Sequence, residues 1–220
     1  MGNPESAYRG IVGRIAAAAE RRPEPAGEVR LVAVSKRQPV EAIRALAELG
    51  QRDFGENYLQ EALDKQPELA DLPLIWHFIG PIQSNKTRAI AAHFDWVHSV
   101  DRVKIARRLG EQRDPSLPPL KVLIQVNVDG EESKSGADPT DVPAIAAACA
   151  ESPALELRGL MCIPRPGNTT AFEQLAALNR SLPEPLPDLS MGMSGDFEAA
   201  IAVGATIVRV GTALFGPRDS

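Results

Sequence analysis

Along this chain, short apolar runs alternate with stretches in which apolar residues recur every three or four positions, the signatures of buried strands and one-sided helices. Tyr8, Ile11, Val12, Ile15 and Ala19 fall at helical spacing and predict an opening helix, broken by a turn at Pro23, Pro25 and Gly27. Val29 to Val34 is nearly continuous in apolar side chains and predicts a strand covered on both faces, after which Pro39 opens a helix with Val40, Ile43, Leu46 and Ala47 on one side. The unit then repeats. A weak strand over Asp53 to Glu56 leads to a helix over Tyr58 to Lys65, and a stronger strand over Leu74 to Ile79 leads to a helix capped at Ser84. Trp96 to Val100 is a fourth strand, followed by a helix that Asp101 caps and that turns Ile105, Ala106 and Leu109 inward. Leu120 to Val128 follows the Pro118-Pro119 break as the fifth strand, with Val142, Ile145, Ala146 and Cys149 marking the next helix. Leu157 to Ile163 is the sixth strand, and its helix carries Phe172, Leu175, Leu178 and Leu182. A brief seventh strand lies near Leu189 to Met191, Ser194 caps a helix carrying Phe197, Ala200 and Ile201, and Thr206 to Val210 supplies the eighth strand.

Eight strands alternating with helices, without a shift in composition, predict an α/β fold: a single (β/α)8 TIM-type barrel with an extra N-terminal helix, residues 1–220 forming one domain. No Gly-x-Gly-x-x-Gly follows the first strand, which weighs against a dinucleotide-binding open sheet.

Composition narrows the function. The 220 residues are 44% hydrophobic, enough for one substantial core, and 24 Lys+Arg against 29 Asp+Glu leave a net charge of -5, so no basic field exists to hold nucleic acid. The polar N-terminus is unlike a signal peptide, and no apolar run approaches the roughly 20 residues that span a bilayer, which predicts a cytoplasmic protein without membrane contact. Cys149 and Cys162 sit in apolar stretches and read as buried, reduced thiols. His77, His93 and His98 fit no compact ligand spacing, so no metal is expected.

In barrels of this kind the functional groups sit at the carboxyl ends of the strands, and the first candidate is Lys36, directly after Val32-Ala33-Val34-Ser35. Desolvation at such an end favours the neutral amine, which attacks a carbonyl to form a Schiff base; the plainer alternative is a solvated lysine in a turn. The second candidate is the pair of loops after strands seven and eight, Met193-Ser194-Gly195 and Arg209-Val210-Gly211-Thr212, where barrels often bind phosphate. Gly195 and Gly211 allow close backbone approach, while Ser194 and Thr212 offer hydroxyl donors. The plainer alternative makes Ser194 an N-cap and Gly211 a turn, and Asp196 nearby opposes an anion. A Schiff-base lysine facing a phosphate cup fits either a class I aldolase acting on a sugar phosphate or a pyridoxal 5'-phosphate (PLP) protein. Arg209 would suit the second, as a fixed donor to a pyridine nitrogen, or would be an ordinary barrel ion pair with Asp53 or Glu56.

The stretches Ala33-Val34-Ser35-Lys36, Phe54-Gly55-Glu56-Asn57-Tyr58, Trp76-His77-Phe78-Ile79-Gly80-Pro81-Ile82-Gln83-Ser84-Asn85-Lys86, Lys134-Ser135-Gly136, Gly159-Leu160-Met161, Ser190-Met191-Gly192-Met193-Ser194 and Val208-Arg209-Val210-Gly211 resemble, in order and nearly end to end, the pyridoxal phosphate homeostasis protein family. That family resembles the barrel domain of bacterial alanine racemase. The resemblance implies that Lys36 forms the Schiff base with PLP, that Ser194, Gly211 and Thr212 bind its phosphate, and that Arg209 faces its pyridine nitrogen. Asn57, His77, Met161 and Met193 then lie near the cofactor or pack below it. Between Pro166 and Leu189 the chain is several residues shorter than the family pattern, which predicts a stubby seventh helix.

A guanidinium stays protonated, so a pyridine nitrogen accepting from Arg209 stays unprotonated and the ring becomes a weaker electron sink. The racemases related to this barrel use a further C-terminal β-domain, for which the sequence to Ser220 has no room. The resemblance therefore implies a monomer that holds PLP reversibly, buffers the reactive aldehyde and passes it to PLP-dependent apoenzymes, without established catalysis. Two enzyme alternatives stay open: a racemase of low activity, with Lys134 as the second acid-base group beside Lys36, and the cofactor-free aldolase.

Overall fold

A computed structural model of the chain describes residues 4–22, 28–130 and 135–216; the turn expected at Pro23 to Gly27 and the candidate Lys134 lie outside the described residues. An opening helix, α1 (Pro4–Glu20), precedes eight strand-helix steps. These are β1 (Arg30–Val34) with α2 (Val40–Glu48), β2 (Asp53–Glu56) with α3 (Leu59–Lys65), β3 (Ile75–Phe78) with α4 (Thr87–His93), and β4 (Trp96–Val100) with α5 (Val103–Gln112). They continue as β5 (Leu120–Gln125) with α6 (Val142–Ala150), β6 (Leu155–Met161) with α7 (Thr170–Ser181), β7 (Asp188–Ser190) with α8 (Phe197–Ala202), and β8 (Ile207–Val210) with α9 (Thr212–Phe215). The strands pair in sequence order, all parallel, and β8 closes on β1 through Val32 opposite Arg209 and Ala33 opposite Val210. This is the expected TIM-type barrel with its extra N-terminal helix.

The alternation of side chains along each strand sorts them into two cores. Outward residues such as Ala33, Phe54, Val97, Ile124, Leu160 and Val208 pack under the helices, joined by Ile43, Leu46, Ile105, Leu109, Phe172 and Phe197. Inward, Val32, Trp96, Leu123, Met161 and Ile207 form a second cluster that fills the barrel. Below it the amino-terminal end is ionic. Arg30 pairs with Asp53 at 2.8 Å and Arg158 with Asp188 at 2.8 Å, and Arg30, Lys121 and Arg158 stand 5.1, 5.3 and 6.0 Å from the centroid of the Trp96 ring.

Four local expectations are corrected. The seventh helix is not stubby: α7 has 12 residues, and β7 after it has three. Ser84 and Asp101 do not cap the helices after them, which start at Thr87 and Val103; the Ser84 carbonyl accepts from the Thr87 hydroxyl at 3.0 Å, and Asp101 accepts from Arg102 at 2.6 Å. Ser194 likewise leaves the N-cap position of α8 to Asp196. Cys149 and Cys162 are buried free thiols, each pushed up to about 12 by burial, so both remain protonated and inert. No helix among the described residues is long and apolar enough to cross a membrane.

Candidate functional site at the carboxyl ends of the strands

Lys36 follows β1 and is partly buried, and its loop is gripped from outside the barrel. Ser35 is fully buried: its N–H donates to the Gly55 carbonyl at 3.0 Å and its hydroxyl to Glu56 Oε1 at 2.7 Å. From the last turn of α3, Lys65 Nζ donates to the Ser35 carbonyl at 2.8 Å, to Glu56 Oε1 at 2.9 Å and to Glu61 Oε1 at 2.6 Å. Arg37 takes a left-handed backbone with φ 59°, which costs a non-glycine residue about 1 kcal/mol, and its N–H donates to the Glu61 carboxylate. The residues before and after Lys36 are thus both fixed by one buried ionic cluster. Burial outweighs Lys65 and Ser35 in that cluster and raises the Glu56 carboxyl above its usual range.

Asn57 follows β2, beside β1, and its Oδ1 is buried with no hydrogen-bond partner among the described residues. Its backbone is crossed so closely by Gly80 that a Cβ there would fall 2.1 Å from the Asn57 carbonyl oxygen, so only glycine permits the crossing.

On the other side of β1, the β8 strand runs straight into α9 through Gly211, where a Cβ would sit 3.3 Å from the Val34 carbonyl oxygen. The adjoining β7 loop turns at Gly192, whose φ of 91° and closeness to Ala200 and Phe197 exclude any side chain. Met193 follows, partly exposed, and its N–H donates to Asp196 Oδ1 at 2.6 Å, which occupies the carboxylate expected to oppose an anion. Freed from capping α8, Ser194 turns its Oγ to accept from the Ala213 N–H of α9 at 3.4 Å. Ser194, Gly211 and Thr212 therefore converge, with the leading N–H groups of α9 not committed within the helix. In the closed order β2-β1-β8-β7, Asn57, Lys36, the Gly211-Thr212 step and the Met193-Ser194 step occupy four consecutive strand ends.

Arg209 lies deeper, inside the barrel opposite Val32, and is 3% exposed. It makes no ion pair with Asp53 or Glu56. One guanidinium nitrogen donates to Ser190 Oγ at 2.6 Å and the other to the Cys162 carbonyl at 2.8 Å, both neutral acceptors. Burial lowers its pKa from an ordinary arginine's, yet the group stays a cation and a donor only. Ser190 Oγ also lies 2.9 Å from His98 Nδ1, His98 Nε2 lies 2.9 Å from His77 Nδ1, and His77 Nε2 lies 2.9 Å from Asp53 Oδ1. His77, expected near the cofactor or in the core, is wholly buried and stacks on Trp96, while Met161 packs in the inner apolar cluster below. Sequence reasoning missed Lys65, Ser190 and His98 as supporting groups. The alternation of Trp96 and His98 about Val97 in one strand was the available signal for His98, since it shares the inward face with Trp96.

The sequence matches the family described as alanine racemase, N-terminal domain, over residues 13–219. It is 60% identical to the pyridoxal phosphate homeostasis protein of Pseudomonas aeruginosa over 214 residues, covering 95% of this chain and 93% of that one, and 51% identical to the protein of that name in Escherichia coli over 217 residues, covering 94% and 93%. Among solved structures it is similar to PipY of Synechococcus elongatus with PLP bound, at 41% identity and a TM-score of 0.79, covering 94% of this chain and all of the other. With a model match across most of its length and relatives this similar over nearly all of theirs, the chain belongs to the pyridoxal phosphate homeostasis proteins within the alanine racemase N-terminal domain family.

Proposed function

We propose that the chain binds pyridoxal 5'-phosphate as a Schiff base on Lys36 and serves intracellular vitamin B6 homeostasis, buffering the cofactor or delivering it to PLP-dependent apoenzymes in the cytoplasm, without established catalysis. The observation that carries the reading is the buried Arg209 guanidinium, held inside the mouth by two neutral oxygens and with no carboxylate at ion-pair distance among the described residues. A buried cation so placed suits a ligand with an acceptor atom at its inner end, and a pyridine nitrogen is one. The strand ends above it supply the remaining fit. Gly211 leaves a cradle beside Val34 that a side chain would fill, Ser194 and Thr212 stand at its rim, and Asn57 offers an orphaned polar atom on the opposite side.

When bound, PLP supplies a reactive aldehyde that condenses with an amine and releases water. Lys36 provides that amine, and the grip on Ser35 and Arg37 keeps its backbone in place as the side chain is loaded or released. Ser194, Gly211 and Thr212 would hold the phosphate, with Met193 and Asn57 flanking. Arg209 would donate to the ring nitrogen and keep it unprotonated, which would disfavour carbanion chemistry. The names of the relatives support a holding role over turnover.

The test is the visible absorption spectrum of the protein with added PLP, before and after borohydride, beside Lys36→Ala. A yellow band that bleaches on reduction and is missing from the variant supports the reading. No band in either protein, with covalent trapping only in the presence of a sugar phosphate, would replace it with the aldolase reading.

A further inference from the structure

The groups between the barrel mouth and its ionic floor form one unbroken line. Arg30 donates to Asp53 Oδ1 at 2.8 Å, Asp53 Oδ1 meets His77 Nε2, His77 Nδ1 meets His98 Nε2, His98 Nδ1 meets Ser190 Oγ, and Ser190 Oγ meets Arg209. Both ends have only one possible role. A guanidinium donates and never accepts, and an ionised carboxylate accepts and never donates. Asp53 is ionised: burial alone would raise its carboxyl, but His77 and Arg30 outweigh it and hold it below the usual range.

With the ends fixed and both rings neutral, each middle group has a single consistent orientation. Ser190 accepts from Arg209, and its own hydroxyl proton goes to His98 Nδ1, the nitrogen left without a proton. His98 then carries its proton on Nε2 and donates to His77 Nδ1, and His77 carries its proton on Nε2 and donates to Asp53. A second proton on either imidazole would reverse the line: on His77 it would oppose the His98 N–H and drive His98 to its other tautomer, and in either case His98 Nδ1 would donate to Ser190 in place of accepting from it. Burial, with Arg209 and Arg30 nearby, acts in the same direction and keeps both rings neutral.

We propose that Asp53, His77, His98 and Ser190 form a one-way hydrogen-bond relay that positions the Arg209 guanidinium as a donor facing the ring nitrogen of bound PLP. The cofactor half of this inference rests on the function proposed above. Asp53, His77, His98 and Ser190 are positioning residues, since they act through Arg209. Their effect is to commit the Ser190 hydroxyl proton to His98 and turn its lone pairs toward Arg209, so the guanidinium is aimed by a group whose own orientation is set at the far end of the barrel. The interior of a barrel is ordinarily filled with apolar side chains. Six polar groups in one line across it are costly unless every member is paired, and every ring nitrogen here is.

The first measurement is on the unaltered chain without cofactor: long-range nitrogen-proton NMR of the imidazoles. The expected result is that His77 and His98 are both neutral with the proton on Nε2. A proton on Nδ1 of either ring, or a doubly protonated ring near neutral pH, overturns the relay. The second is PLP titration of Ser190→Ala and Asp53→Asn, with Ser190→Thr as the conservative control. The expected result is binding weakened about tenfold, a shifted absorption band in both variants although Asp53 lies on the floor, and recovery in Ser190→Thr. Folded variants that bind PLP with unchanged affinity and an unchanged band overturn the positioning role while leaving the proposed function standing. The expected tautomers in a chain that forms no band with PLP would overturn the ring-facing role together with the proposed function, and show the line of hydrogen bonds to be structural.

Discussion

Lys65 places its Nζ 2.9 Å from Glu56 Oε1 with both side chains out of solvent, and the same nitrogen holds the Ser35 carbonyl just before Lys36. Truncating one partner of a buried pair leaves the other charge stranded, so Lys65→Met should destabilise the fold by about 3–5 kcal/mol in urea unfolding near neutral pH. The Glu56 pKa is raised in the folded chain. Stability from its protonated form is fully present below the unfolded value and is lost as pH rises through the folded one. Removing Lys65 raises the folded value further, so the deficit of the variant should shrink as the pH is lowered toward about 4.5. An equal deficit at every pH would contradict the pairing.

Acid should weaken the native protein through its barrel interior. His77 and His98 are both lowered, chiefly by burial, so the unfolded chain binds protons there that the folded chain refuses. Stability should start to fall below about pH 6.5, with up to one extra proton taken up on unfolding per imidazole. Asp53 is lowered too, and its contribution, present above the unfolded value, is lost at more acid pH as it falls through the folded one. Urea midpoints measured across this range, together with His98→Gln, test the assignment: the variant should show a shallower decline than the native chain.

Gly10 and Gly13 lie within α1 with nothing near the position of an added Cβ. Each is a helix-interior glycine with no steric reason to be one, so Gly10→Ala and Gly13→Ala should each stabilise by about 0.5–1 kcal/mol in thermal or urea unfolding. A loss of stability would mean that α1 makes a contact at those positions.

If Ser194 and Thr212 hold the phosphate, Ser194→Ala and Thr212→Val should weaken PLP binding about tenfold and leave pyridoxal, which has no phosphate, unaffected. Equal losses for both ligands would place these hydroxyls elsewhere in the pocket.

The architecture was legible because period two and period 3.6 are written plainly in the chain: Val32 and Ala33, adjacent in sequence, go to the inner and outer cores, and both sit in an apolar run. Helix starts were less legible. Ser84, Asp101 and Ser194 are favoured cap residues by type, but backbone geometry moves the cap of each helix one or two residues on. At the mouth, the strand-end rule locates Lys36 and the loops after β7 and β8 without any fold in hand. What supports them comes from residues distant in sequence and unremarkable alone. Lys65 looks like a polar helix-end lysine, and Ser190 like a small strand residue. Only the closed barrel brings Ser190 to His98, 92 positions away.

The ionic floor has a consequence for traffic. With Trp96 ringed by cations, the Arg30–Asp53 and Arg158–Asp188 pairs beneath, and Val32, Leu123, Met161 and Ile207 packed above, the described residues close the barrel at its rear. If Lys36 carries PLP as proposed, the cofactor would leave by the opening through which it came. Handover would then be a face-to-face exchange at one doorway, and a recipient pressed against that doorway would itself govern the rate of unloading.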